Sequence, residues 1–319
     1  MRALADSVAT LIGRPLGAAE GIAIAVSGGP DSLALLLTTR LAFGHRVRAL
    51  TVDHGLRAGS SAEAAGVASI CDKLGIAHAT LCWDGEKPVA NIHAAARTAR
   101  YQLMGDWCAA NGVSWLATGH HADDQAETLL LRLARGSGVS GLAGIRRVRA
   151  LANGVTLLRP VLDRRRSELH AIVGAAGLVP VDDPSNADPR YDRTHARALL
   201  AQTDWLNPER LAAATAHLAD AEAALDWTAD FAWRGRAVVA PSHIELDIAR
   251  LPAELIRRLV VRALQVLGCN APSGPETAVL MTRLANGQTA TLGPVKVTSG
   301  AIWRFEIATS RQTPSSAGS

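Results

Sequence analysis

Residues 22–37 constrain the fold more than any other stretch of this chain. The apolar run Ile22-Ala23-Ile24-Ala25-Val26 reads as a buried strand and Leu33-Ala34-Leu35-Leu36-Leu37 as the body of a helix. Only Ser27-Gly28-Gly29-Pro30-Asp31-Ser32 separates them. Two adjacent glycines let the backbone curl into a concave nest of N–H groups, and a helix N-terminus adds partial positive charge. A phosphate is the natural occupant of such a turn. The lysine of the common nucleotide-binding P-loop is missing, so the cradle is of another kind. The plain alternative is a strand-to-helix turn capped by Asp31 or Ser32.

The pattern set by that unit repeats. Residues 22–26, 47–52, 78–83 and 114–118 read as strands, and 33–42, 61–74, 91–111 and 123–135 as helices. Strand–helix alternation of this kind predicts an α/β fold, a doubly wound, Rossmann-like parallel sheet covered on both faces. Ligands of such sheets bind at the carboxyl ends of the strands. Three charged or glycine-rich loops fall there, over 27–32, 53–57 and 119–124. From about Asp204 the pattern changes, with a turn at Trp205-Leu206-Asn207-Pro208 leading into an Ala-rich helix over 209–236 and another over 252–267. A strand pair over 289–297 and 301–307 closes the sequence before a Ser/Pro/Gly-rich tail. The expected organisation is an α/β domain over 1–204, a smaller, mainly helical domain over 205–309 and a disordered tail over 310–319.

Several segments carry candidate chemistry. Val52-Asp53-His54-Gly55-Leu56-Arg57 follows the second strand, where its backbone can hold a nucleoside and its His and Arg can meet phosphate; a loop with a capping Asp is the simpler reading. Gly119-His120-His121-Ala122-Asp123-Asp124-Gln125-Ala126-Glu127-Thr128 places two His and two Asp at a strand end. Carboxylates there suit Mg²⁺, and the same residues suit a helix N-terminus; a closed zinc site lacks evident further ligands. Ala96-Arg97-Thr98-Ala99-Arg100-Tyr101 puts two guanidinium groups on one helix face. Gly136-Ser137-Gly138-Val139-Ser140-Gly141 matches a dinucleotide fingerprint but follows a helix, so it lacks the strand that the fingerprint needs. Arg clusters continue at 146–149, 159 and 164–166, and a Pro- and Asx-rich loop spans 182–193.

Composition narrows the class. At 48% hydrophobic and 19% charged residues the chain is globular. Of its 33 basic residues only Lys73, Lys87 and Lys296 are lysine; an arginine-rich surface suits phosphate and RNA, and biased genomic composition would produce the same count. Cys71, Cys82, Cys108 and Cys269 form no C-x-x-C pair, which argues against a zinc or iron–sulfur site and a disulfide framework. No run approaches the ~18 apolar residues of a membrane span, and the first residues have no signal-like core, so a cytoplasmic protein is expected.

Taken in order, SGGPDS (27–32), VDHGLR (52–57), ARTARY (96–101), GHHADDQAET (119–128), RGSGVSGL (135–142), RP-x₃-RRRSEL (159–169) and DPSNADPRYDR (183–193) resemble the tRNA(Ile)-lysidine synthase family of the PP-loop ATP pyrophosphatase superfamily. The resemblance spans about 20–200 and implies the adenine nucleotide alpha hydrolase-like fold. It further implies a ligase that uses ATP and Mg²⁺ to join free L-lysine to the wobble cytidine of tRNA(Ile) with a CAU anticodon. The cytidine is adenylated with loss of diphosphate, and the lysine then displaces AMP, which changes the codon read from AUG to AUA. On this reading Ser27, Gly28, Gly29, Pro30, Asp31 and Ser32 hold the phosphates, Asp53 and His54 the nucleoside, and Asp31 a metal or substrate. Arg97 and Arg100 stabilise charge, and His120 and Asp123 serve acid–base or lysine-handling roles. Thr194 stands where the family usually has Asn, and the extra C-terminal RNA-binding domain of longer members has no counterpart in the sequence. A homodimer is compatible with it, and no membrane partner is expected. The rival readings are a tRNA thiolase, which calls for paired cysteines, and a nucleotide-binding regulator without turnover.

Overall fold

The computed structural model describes residues 2–56, 59–85, 87–88, 90–181 and 192–308. The chain divides into two units, Met1–Ala219 and Asp220–Ser319, so the turn over 205–208 lies inside the first unit. The tail over 310–319 lies outside the described residues, as does most of the loop over 182–193.

The first unit runs α1 (Arg2–Ile12), β1 (Ile22–Ala25), α2 (Pro30–Phe43), β2 (Val47–Asp53), α3 (Ser60–Lys73), β3 (Ala77–Cys82), α4 (Ile92–Ala110), β4 (Trp115–Ala117) and α5 (Ala122–Ala134). Then come α6 (Val139–Leu142), β5 (Val148–Ala150), β6 (Thr156–Leu158), α7 (Arg166–Ala175) and α8 (Asp192–Gln202), and α9 (Pro208–Arg236) carries the chain into the second unit. The sheet order is β3-β2-β1-β4-β6-β5. All neighbours are parallel except β5, which pairs antiparallel with β6 at the edge.

Side-chain alternation along each strand divides the core into two layers. Ile22 and Ile24 of β1 pack with Leu33 and Leu36 of α2, Val67 of α3 and Leu169 and Val173 of α7. Ala23 and Leu50 turn the other way, onto Tyr101, Met104 and Cys108 of α4. Strands buried on both faces need continuous apolar runs, which is what the sequence supplies. The register aligns Ile22 with Val47 and with Trp115, so β1, β2 and β4 start level, and β2 runs on to Asp53 beyond the end of β1 at Ala25. Chain order reverses between β1 and β4, and such a switch point opens a crevice at the carboxyl edge.

The second unit is more than helices and a closing strand pair. A five-stranded antiparallel sheet runs β7-β8-β11-β10-β9, from β7 (Ala237–Val239), β8 (His243–Asp247), β9 (Ala290–Leu292), β10 (Val295–Thr298) and β11 (Ile302–Ile307). Leu259, Val260 and Leu264 of α10 (Ala253–Val266) and Leu280 and Leu284 of α11 (Gly274–Ala285) cover one face, against Ile244, Leu246, Val297 and Phe305. Beneath them the nearly buried Arg258 is held by Glu222 at 2.5 Å, Glu254 at 2.9 Å and Asp226.

Candidate active site at the carboxyl edge of the sheet

The Ser27–Ser32 turn crosses the switch point, between the end of β1 and the first turn of α2. Gly28 has φ +84°, and a β-carbon there would come within 2.8 Å of Val181; glycine meets both demands. Its carbonyl accepts from the Val181 amide at 2.9 Å. Gly29 is the N-cap without a side-chain cap, and Pro30 occupies the first turn. The first-turn N–H groups therefore have no intrahelical acceptor and no side-chain substitute, which leaves them for an anion. Ser32 braces the turn from inside: its Oγ donates to Gly29 O at 2.9 Å and accepts from Ser27 N at 3.2 Å.

The loop after β4 lies directly on this turn. A β-carbon at Gly119 would sit 2.7 Å from the Asp31 carbonyl oxygen and 2.9 Å from its carbon, so only glycine permits the approach. Two residues on, His121 is fully buried and caps α5: its Nδ1 accepts from Asp124 N at 3.3 Å while Asp124 Oδ2 accepts from His121 N at 3.1 Å. His121 Nε2 lies 3.5 Å from Asp31 Oδ2, and His170 Nε2 of α7 lies 3.5 Å from Asp31 Oδ1. Burial opposes charge on both partners, but the pair outweighs it: Asp31 is held below the ordinary carboxylate range and His121, facing Asp31 and Asp124, above its ordinary value.

The structure separates the remaining residues of this segment. Asp123 is tied to the start of α7, with Arg165 Nε and Nη2 donating at 3.1–3.3 Å and Arg166 N at 2.8 Å. Its carboxylate joins two helix starts before it can serve a substrate. His120 bonds Thr118 Oγ1 at 2.9 Å; burial, opposed by Asp124 and aided by Arg159 and Arg97, pushes its pKa down to about 4. It is a neutral imidazole at physiological pH. Glu127, buried one turn along α5, accepts from Arg197 Nε of α8 at 2.6 Å. Glu127 lies four residues after Asp123 and three after Asp124, the spacing that puts it on their face of α5.

Beyond β2, Asp53 accepts from Gly55 N at 2.9 Å and Ser61 Oγ at 2.6 Å, bracing the entry to α3. Its hydrogen bonds to Ser60, Ser61 and Gly55 lower its pKa. His54 Nε2 accepts from Arg100 Nη2 at 3.0 Å, and burial together with Arg100 pushes His54 down to about 4. Arg97 is exposed, its guanidinium 5.2 Å from the Tyr101 ring centroid. Arg57 lies outside the described residues.

One feature fits a hard cation. Asp31 Oδ1 is buried without a hydrogen-bond partner among the described residues, and Mg²⁺ commonly takes one carboxylate and completes its shell with phosphate and water. No group of three or more His, Cys, Asp or Glu among the described residues is arranged to hold a metal by itself.

A doubly wound parallel sheet with a lysine-free glycine cradle at its switch point defines an ATP-using PP-loop protein. A family model for a PP-loop domain matches residues 3–203. The tRNA(Ile)-lysidine synthase of Novosphingobium aromaticivorans is 45% identical over 291 residues, 90% of this chain and 89% of that one. That of Zymomonas mobilis is 40% identical over 316 residues, covering 98% and 95%. The chain belongs to the tRNA(Ile)-lysidine synthase family and is an enzyme of the ligase type. A solved U34-tRNA thiolase from Methanococcus maripaludis with its [4Fe-4S] cluster shares the fold, with a TM-score of 0.56 at 17% identity over 69% of this chain and 79% of that one. The cysteines here do not gather: Cys71 and Cys108 are buried apart, and burial pushes their thiols up to about 11 and about 12. No helix among the described residues is long and apolar enough to cross a membrane.

Proposed function

We propose that this chain activates O2 of the wobble cytidine in a CAU-anticodon tRNA(Ile) with ATP and then joins the ε-amine of free L-lysine to C2. In the first step O2 attacks the α-phosphorus, the bond to the β-phosphate breaks and diphosphate leaves. In the second the neutral amine attacks C2, the C2–O2 bond breaks and AMP carries the oxygen away. The codon read changes from AUG to AUA, and the reaction runs in the cytoplasm.

The observation that carries this reading is the union of a phosphate cradle with Asp31, oriented by two imidazoles, at the switch point of a chain 45% identical to a lysidine synthase. Ser27–Ser32 take the phosphates through backbone N–H groups, and Asp31 Oδ1 would hold Mg²⁺. Bound there, the ion supplies charge stabilisation at the phosphates. Asp53 and His54 flank the nucleoside, with Arg100 fixed on neutral His54. Arg97, exposed on α4, would add positive charge beside the site. His120, kept neutral, can accept a hydrogen bond from the incoming amine, and Asp123 keeps α5 and α7 in register around it. The target base sits in a single-stranded loop, where turning it into a pocket costs little.

The test is to incubate purified protein with ATP, radiolabelled lysine and transcripts of tRNA(Ile) and the methionine tRNA sharing its anticodon. Label is expected in tRNA(Ile) alone, with AMP and diphosphate released, and Asp31→Ala is expected to abolish incorporation. Equal labelling of both tRNAs would overturn the specificity, and ATP binding without turnover would overturn the enzyme assignment.

A further inference from the structure

Many of this protein's arginines pair with carboxylates, while Arg46, Arg48 and Arg132 donate to backbone carbonyls. Arg258 has three, Arg165 is bound to Asp123, and Arg147 meets Asp163. Around Tyr101 the habit stops. Arg97 and Arg149 both lie against the Tyr101 ring, with guanidinium carbons 5.2 and 5.0 Å from its centroid. Arg100 spends its donors on neutral His54, and buried Arg159 donates to the Arg146 carbonyl while its Nε has no partner. Among the described residues none of these four has a carboxylate within ion-pair reach.

Like charges gathered this closely oppose folding unless something compensates them. Cation–π contact with one tyrosine offsets part of that cost. Burial and the like charges of Arg97 and Arg149 lower the Arg159 pKa, with Tyr101 acting the other way. The arrangement is complete only with an anion.

Its place in the fold decides which anion. Tyr101 belongs to the α4 layer, whereas the phosphate cradle begins α2 in the opposite layer. Arg149 lies on edge strand β5 and Arg159 just after β6, and both Arg159 and Arg97 act on His120 beyond the end of β4. Two of the guanidiniums, on Arg97 and Arg149, are exposed and two lie beneath. That is an outward-facing shelf beside the reactive edge, suited to an extended polyanion.

We propose that the Arg97–Tyr101–Arg149 shelf docks a backbone phosphate of the RNA strand that presents the target cytidine, with Arg149 as a positioning residue. The inference rests on the proposed reaction in naming RNA as the polyanion. Arg149 sets how the anticodon loop lies across the sheet edge and takes no part in bond making. Its guanidinium grips a phosphate bidentately, and the tyrosine face keeps the fork from folding back onto β5.

The test uses the full chain, a CAU anticodon stem-loop RNA and a salt series read by fluorescence anisotropy. Arg149→Ala is expected to bind the RNA about tenfold more weakly, as loss of a charge-assisted contact requires. The slope of log K against log salt is expected to become shallower by about 0.7–0.9, one counterion's worth. ATP affinity stays within about twofold, and KM for tRNA rises while kcat is largely kept. Arg149→Lys restores the slope, since the charge returns without the fork. Tyr101→Leu, checked by thermal melting to be folded, weakens RNA binding further by releasing both guanidiniums. An unchanged slope in Arg149→Ala overturns the proposal, as does weakened ATP binding with RNA affinity intact. Wild-type protein that binds RNA but incorporates no lysine would sink the reaction assigned above and leave the shelf to be judged by its slope alone.

Discussion

Gly119→Ala adds one carbon where the loop after β4 rests on the first turn of α2. That carbon would sit 2.7 Å from Asp31 O, 2.9 Å from Asp31 C and 3.2 Å from Ser32 N. All three are backbone atoms, so no side chain can rotate away. Recovering the 3.4 Å of ordinary contact requires the loop and the helix start to part by about 0.7 Å. Overpacking of this size costs about 1–3 kcal/mol, or roughly 2–12 °C in Tm for a domain of this length. The catalytic cost is larger, because the displaced groups are the phosphate cradle and the carboxylate facing His121; misplacement near an ångström costs about 10²-fold. Lysine incorporation under single-turnover conditions is expected to slow by about 30–100-fold, with weaker ATP binding and a far-ultraviolet spectrum unchanged. Gly138→Ala is the control, since Gly138 has φ −75° and open space around its α-carbon; its rate should match wild type. A Gly119→Ala protein with wild-type rate and ATP affinity would refute the close approach.

The other expectations concern stability. His54 and His120 are both held near pKa 4 by burial, against 6.5 in the unfolded chain. As pH falls through 6.5 the unfolded state takes up protons that the folded state refuses, so stability declines between pH 6.5 and 4, by about 1 kcal/mol per histidine at pH 5.5. Urea titrations at pH 7.5 and 5.5 should show the decline and its reduction in His54→Asn and His120→Asn; a double variant that declines as steeply as wild type contradicts the assignment. Arg258→Met removes the guanidinium shared by Glu222, Asp226 and Glu254, of which Glu254 keeps Arg257 at 2.6 Å, and should destabilise the second unit by about 3 kcal/mol, measured by thermal melting, while ATP affinity stays unchanged. A melting temperature equal to wild type would show that the ion-pair cluster contributes nothing net.

What was legible in the sequence was what is local. The cradle is a contiguous strand, turn and helix, and its glycines and Pro30 report their own backbone needs, so its place followed from residues 22–37. β1, β2 and β4 were legible because burial on both faces demands unbroken apolar runs, whereas β3, at the sheet edge, was placed by the helices on either side of it. β5 and β6 were not, being three residues each among arginines and glycines. The sequence places His120 and His121 side by side, and only the cap geometry of α5 turns His121 inward to Asp31 and leaves His120 on Thr118. Asp123 looked like chemistry because its partner, Arg165, is 42 residues away. Gly119 gave no sign of its role, since the backbone it touches comes from another loop. The small sheet of the second unit was half visible: β10 and β11 alternate clearly, whereas β7 directly follows α9 and carries no turn signal before it.

In the proposed reaction the RNA base, and not the amino acid, is adenylated. Mixing enzyme, Mg²⁺, tRNA(Ile) transcript and ATP labelled at the α-phosphate, without lysine, isolates the first step. Label is expected on the tRNA with diphosphate released, followed by release of that label as AMP when lysine is added. Label that stays off the tRNA and appears on lysine once the amino acid is present would contradict it.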